Sequence, residues 1–80
     1  MFKTLHTDEN KRLTSWLKEK RAEKGLTMRE LATLLGTQHT LVSKVEQGER
    51  RLDVVEYLKY CSALEVSPEE GLKAIDKSLG

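Results

Sequence analysis

Between Leu26 and Gly48 the chain reads LTMRELATLLGTQHTLVSKVEQG, and no other stretch limits the fold as tightly. Thr27 followed three residues later by Glu30 spells a capping box, the start signal of a helix. Met28, Leu31, Ala32, Leu34 and Leu35 then supply its apolar residues, and Gly36 breaks it. A second helix starts at once, from Thr37 or Gln38, with Val42 and Val45 as its core face and Gly48 as its stop. Ala32 is small enough for the two helices to cross closely. The polar face of the second helix carries Gln38, His39, Thr40, Ser43 and Lys44.

Two short helices joined by so tight a turn form a helix-turn-helix, whose usual purpose is to seat the second helix in the major groove of DNA. Composition is consistent with an all-α chain: Leu, Ala, Glu, Lys and Arg dominate, against 5% aromatics and one proline. Eighty residues make one domain with a modest core, so every helix must contribute to it and subunit contacts matter for stability. One cysteine, Cys61, excludes an internal disulfide and fits a reducing cytoplasm. No apolar run approaches the ~20 residues of a membrane span, and Met1–Asn10 holds no signal-peptide core. The net charge of +1 is weak for a protein held to nucleic acid by phosphate attraction alone. The charges are segregated, however: Lys11, Arg12, Lys18, Lys20, Arg21 and Lys24 load the first helix, Arg50 and Arg51 follow the motif, and acids gather in the last third. Such segregation serves a positive face or a solvated mixed surface equally well.

Around the motif the sequence predicts three more helices. Thr7-Asp8-Glu9 reads as a start and Gly25 as a stop, with Leu13, Trp16 and Leu17 as the stripe between them. Asp53 caps a fourth helix over about Val54 to Leu64, in which Val54, Tyr57, Leu58, Cys61 and Leu64 are expected to face the core. Cys61 in that stripe is a small buried hydrophobe. Ser67-Pro68-Glu69-Glu70 opens a fifth helix with Leu72, Ile75 and Leu79 as its stripe. The expectation is a compact five-helix unit spanning 1–80, with residues 1–7 and 77–80 as flexible ends.

Two inward stripes end in opposite charges. One further step of four from Leu13 and Leu17 lands on Arg21, and one turn beyond Val42 lands on Glu46. Each breaks an apolar pattern, so an Arg21–Glu46 pair tying the first helix to the third explains both. A buried pair of this kind fixes orientation more than it adds stability.

From Leu13 to Leu72 the chain resembles the lambda-repressor-like helix-turn-helix domain of phage repressors, Cro proteins and Xre-type regulators. The resemblance rests on Leu17…Arg21…Gly25-Leu26-Thr27, Glu30-Leu31-Ala32, Gly36, Val42, Val45-Glu46, Gly48, and Ala63-Leu64 with Val66 and Ser67. It implies that Arg21 and Glu46 form a structural ion pair. It also implies base reading from the start of the third helix, by His39, Thr40, Ser43 and Lys44. Their chemistry suits base edges, since Lys44 can donate to guanine and His39 and Thr40 can donate or accept. Gln38 is a base reader or a phosphate ligand. Leu41 touches a thymine methyl, packs locally or faces solvent. Phosphate contacts fall to Gln47, Arg50 and Arg51, together with N–H groups at the starts of the second and third helices. The chain departs from the family pattern at Met28, where a phosphate-binding glutamine is frequent and neighbouring Arg29 is the candidate substitute. It departs again at Glu65, where glycine is common after the fourth helix, and at Leu52, where proline is frequent.

The function these features imply is transcriptional control by a sequence-specific binder of double-stranded DNA. A single half-site offers too little specificity for a genome, and family members usually dimerise, which points to a homodimer on a palindrome. Val66, Leu72 and Ile75 are the candidate dimer face, with closure of the chain's own core as the alternative use. A rival reading is an antitoxin-like or scaffold module that binds a protein partner through the same fold. An enzyme is rejected: no metal-ligand spacing accompanies His39, no base–acid set accompanies Ser43, and no glycine-rich phosphate loop is present. No cofactor is expected. The expected setting is the cytoplasm, for a protein of prokaryotic or phage-encoded type.

Overall fold

The computed structural model describes residues 8–79, with side chains through residue 76. The expected cap Thr7, the side chain of Leu79, and the flexible ends expected at 1–7 and 80 lie outside the described residues, while 77–79, also expected in a flexible end, continue the last helix. Within them the chain is all-α: α1 (Asp8–Glu23), α2 (Met28–Leu35), α3 (His39–Glu46), α4 (Val54–Leu64) and α5 (Pro68–Leu79).

Local chemistry sets the boundaries. At the start of α2 the Glu30 N–H donates to Thr27 Oγ1 at 3.0 Å, and the Thr27 N–H donates back to Glu30 Oε1 at 2.8 Å. The expected box is therefore closed. Asp53 and Glu56 close a second one before α4, at 2.7 and 3.0 Å. Gly36 ends α2 in the left-handed region, at φ 72°. Its N–H donates to the Thr33 carbonyl and that of Thr37 to the Ala32 carbonyl, the two bonds of a Schellman stop. This compact stop lets α3 begin three residues later. Glu65 ends α4 the same way, at φ 57° and ψ 43°. For a residue with a Cβ that conformation costs about 1 kcal/mol, and the Glu65 carboxylate is engaged there by Lys24 from the end of α1.

The core is one cluster of Leu17, Leu31, Ala32, Val42, Val45, Tyr57, Tyr60, Cys61 and Leu64. Leu17 from α1, Leu31 and Ala32 from α2, and Val42 and Val45 from α3 sit where the stripes put them. Leu13, Trp16, Met28, Leu35, Leu52 and Val66 pack around them, half-buried. Cys61 is fully buried, and that burial raises its thiol pKa.

In α4 the stripe needs correction. Val54 and Leu58 were expected inside, but they are 74% and 48% exposed. Tyr60 takes the inward place instead, at 1% exposed. The helix offers apolar residues over most of its circumference, and the neighbours of Tyr57, Tyr60, Cys61 and Leu64 decide which arc is covered. Leu34 of α2 likewise faces out, at 58%.

Helix α5 packs chiefly on α1 and touches α4 more lightly. The approach is close because of Gly71. A Cβ there would fall on the Tyr57 hydroxyl and 2.8 Å from Trp16 Cζ3. The Tyr57 hydroxyl donates to the Pro68 carbonyl at 2.5 Å, fastening the start of α5 to α4.

Candidate nucleic-acid interface

Helix α3 is held from behind and bare in front. Val42 and Val45 are fully buried on its inner side. Glu46, at its end, accepts from Arg21 of α1 through two hydrogen bonds: Nε to Oε2 at 2.6 Å and Nη2 to Oε1 at 3.0 Å. Arg21 Nη1 also donates to the Leu26 carbonyl at 2.7 Å, so the same guanidinium fixes the loop that leads into α2. The side chains are 13% and 2% exposed, which makes the pair an interior one, as the two broken stripes require. The Glu46 hydrogen bond leads the causes that raise the Arg21 pKa. Tyr60 lies beside this pair with its hydroxyl buried and without a hydrogen-bond partner among the described residues. Burial first, and the Glu46 carboxylate next, push its phenol well above the ordinary range.

Gln38, His39, Thr40 and Lys44 are exposed and Ser43 is half-buried, so the five residues singled out as base readers share the start and outer side of one helix. Gln38 is the N-cap, with extended backbone (φ −86°, ψ 149°), yet its side chain makes no capping bond. Its amide therefore remains able to reach outward. Leu41 lines a small cavity of about 180 Å³ with Leu35, Thr37, Leu52, Glu56, Lys59 and Tyr60. Of its three possible roles, local packing is the one the structure favours.

The edges of the motif are more varied. Arg29 is exposed at the start of α2, while Met28 turns inward and packs on the core. Gln47 is exposed and donates from Nε2 to Ser43 Oγ at 3.1 Å. Arg51 is half-buried. Arg50, the other expected phosphate ligand, meets Glu56 with Nη1 at 3.1 Å and Nη2 at 2.8 Å, and Nη1 also reaches the Arg51 carbonyl at 3.0 Å. The Arg50 hydrogen bonds, then that of the Asp53 N–H, lower the Glu56 pKa to about 2. Sequence reasoning missed Glu56. Its spacing from Asp53 was a visible signal for the box, but nothing local announced that the loop would return Arg50 to it.

On the far side, Val66 packs against the chain's own core, Ile75 is half-buried and Leu72 is 53% exposed. Val54, Val55 and Leu58 add exposed aliphatic surface on α4. Among the described residues no helix is long and apolar enough to cross a membrane.

The model of the helix-turn-helix family matches residues 17–71, which is more than half of the chain. The chain belongs to the helix-turn-helix family, in its Cro/Xre-type branch. An Xre-family-like protein from Pseudomonas syringae pv. tomato is 35% identical, with 94% of this chain and 92% of that one covered and a TM-score of 0.83. The restriction-modification controller C.AhdI from Aeromonas hydrophila is also 35% identical, over 79% of this chain and 91% of that one, with a TM-score of 0.74. A third, the controller C.Esp1396I, solved as a tetramer in complex with its natural 35 base-pair operator, is 25% identical over 90% and 95% of the two chains, with a TM-score of 0.79. No curated protein matches the sequence. The five-helix arrangement is thus that of DNA-binding transcription regulators of the Xre type.

Proposed function

We propose that this helix-turn-helix protein is a sequence-specific transcription regulator that binds double-stranded DNA as a homodimer on a palindromic operator, with α3 in the major groove. The observation that carries the reading is the two-sided character of α3. Its inner side is locked by Val42, Val45 and the Arg21–Glu46 pair, while Gln38, His39, Thr40 and Lys44 stand exposed on the other, with Ser43 among them. A rigid helix with solvated donors and acceptors on its outer face is what base-edge readout needs. Arg29, Gln47 and Arg51 flank it as backbone ligands. Arg50 stands at the same edge with its charge already matched by Glu56.

A dimer supplies the specificity that one half-site lacks, with the two recognition helices about 34 Å apart. Leu72 on α5, and Val54, Val55 and Leu58 on α4, are exposed aliphatic side chains available to a second copy, while Ile75 is half-buried and Val66 packs on the chain's own core. C.Esp1396I, a similar protein solved as a tetramer on its operator, supports the reading of assembly on DNA. The protein acts in the cytoplasm and catalyses no reaction. The rival reading, a module that binds a protein partner, draws on the same aliphatic surface.

Selection of sites from a random duplex library by purified protein tests the proposal. Enrichment of a palindrome with half-sites about one helical turn apart supports a dimeric reader. Absence of any enriched sequence at low salt overturns it in favour of the interaction module.

A further inference from the structure

The loop between α3 and α4 carries two adjacent arginines, Arg50 and Arg51. Arg50 is tied at both ends of its fork to Glu56, at 3.1 and 2.8 Å, and donates to the Arg51 carbonyl at 3.0 Å. Glu56 in turn accepts from the Asp53 N–H at 3.0 Å, so a single carboxylate closes both the α4 capping box and a ring through the loop. The ring encloses residues 50–56, with the Arg51 backbone inside it. A guanidinium bound in this bidentate way has its charge balanced and its planar fork occupied. Nε–H and one Nη2 hydrogen stay available, but with its charge already balanced by Glu56 the group binds a phosphate less strongly than a free arginine does.

Resting on the DNA-binding reading above, we infer that Arg50 is a positioning residue, not a phosphate ligand. Through Glu56 it fixes the course of the 49–53 loop and so sets where Arg51 and the end of α3 meet the DNA backbone. The clamp exists before DNA arrives, which leaves less of the loop to be ordered on binding.

Two substitutions separate this role from direct phosphate contact by the sign or size of their effects. Glu56→Gln keeps a side chain that can still complete the capping box but removes the charge partner of Arg50. If Arg50 touched phosphate, this change would release its charge and tighten binding. If Arg50 positions the loop, binding weakens. Arg50→Lys keeps the charge and loses the fork. A lysine serves a phosphate as a point charge, so a direct contact would largely survive, whereas a clamp would not.

The experiment is a salt titration of binding by the wild type, Arg50→Lys, Arg50→Ala and Glu56→Gln to a duplex bearing the selected operator, with thermal melts to confirm folding. The positioning role predicts about tenfold weaker binding for all three variants, with the slope of log affinity against log salt unchanged. It is overturned by tighter binding of Glu56→Gln, by wild-type affinity in Arg50→Lys, or by a slope that falls by about 0.9 in Arg50→Ala. A wild-type protein that binds no duplex contradicts the DNA reading itself. Amide exchange at Asp53 and Glu56 in the free protein then decides the clamp alone: faster exchange in Arg50→Lys supports it, and unchanged exchange overturns it.

Discussion

Arg21 of α1 and Glu46 of α3 face each other through two hydrogen bonds, at 2.6 and 3.0 Å, and the carboxylate is almost sealed from solvent. The pair joins the helix that underlies the fold to the one proposed to read DNA. Removing one partner leaves an uncompensated interior charge, which costs about 3–5 kcal/mol. Arg21→Leu is therefore expected to lower the melting temperature sharply, and adding Glu46→Leu to recover most of the loss. An unchanged melting temperature in Arg21→Leu contradicts the role given to the pair.

Acid tests the second ion pair. The Glu56 carboxyl sits at about 2 in the fold against an ordinary 4.5, because Arg50 and the Asp53 N–H hold its charged form. A lowered carboxyl contributes stability that is fully present above its unfolded pKa and is lost as pH falls through the folded value. The stability advantage of wild type over Glu56→Gln is thus expected to be constant at neutral pH and to shrink between about pH 4.5 and 2. Melting curves of both proteins across that window check it. A difference that grows as the solution becomes more acid has the wrong sign.

Gly71 permits the close seat of α5. In a helix interior, alanine gains about 1 kcal/mol over glycine from propensity alone. Here its methyl group would strike the Tyr57 hydroxyl and the Trp16 ring. The hydroxyl is not free to swing away without losing its bond to Pro68. Overpacking of about 1–3 kcal/mol then exceeds the propensity gain. Gly71→Ala is expected to lower stability and to change the emission of Trp16, the sole tryptophan. A stabilised Gly71→Ala protein would mean that the crossing is looser than described.

Base readers and backbone ligands differ in how their loss is felt. Lys44→Ala is expected to cost about 1–3 kcal/mol on the selected site and to relax preference at one base pair. Arg51→Ala weakens binding to all sequences alike and flattens the salt dependence by about 0.9. Affinities of both variants for the selected and a scrambled duplex, over a range of salt, distinguish the roles. Identical behaviour of the two variants removes the basis for assigning either.

Leu58→Glu places a charge among the exposed aliphatic residues of α4. Since Leu58 lies outside the core, at 48% exposed, the fold is expected to survive while dimer formation fails. Sedimentation of the wild type and the variant measures this. A dimer that persists in the variant puts the second copy elsewhere.

Much of this architecture was legible because local chemistry and packing agree. The Thr27–Glu30 box, the Gly36 stop and the Val42–Val45 pair each specify a boundary or an inward face without help from distant residues. Arg21 and Glu46 could be matched because each interrupts an apolar stripe, which leaves a long-range contact visible in one dimension. In α4 the same reasoning fails: Val54, Val55, Tyr57, Leu58, Tyr60, Cys61 and Leu64 leave several arcs apolar, and periodicity cannot choose among them. Tyr60 falls outside the stripe that 3–4 spacing selects, yet it is the residue buried beside the Arg21–Glu46 pair. The Arg50–Glu56 clamp was hidden for another reason. Its partners are six residues apart across a loop whose return depends on the whole fold; Arg50 reads as a phosphate ligand, and Glu56 stands out in no pattern.

The most direct test of the central claim is to follow backbone amide shifts of labelled protein titrated with the selected duplex. The largest changes are expected from Gln38 to Lys44, with a second set at Arg29 and Gln47 through Arg51. Changes confined to α4 and α5, with α3 unmoved, would contradict that claim.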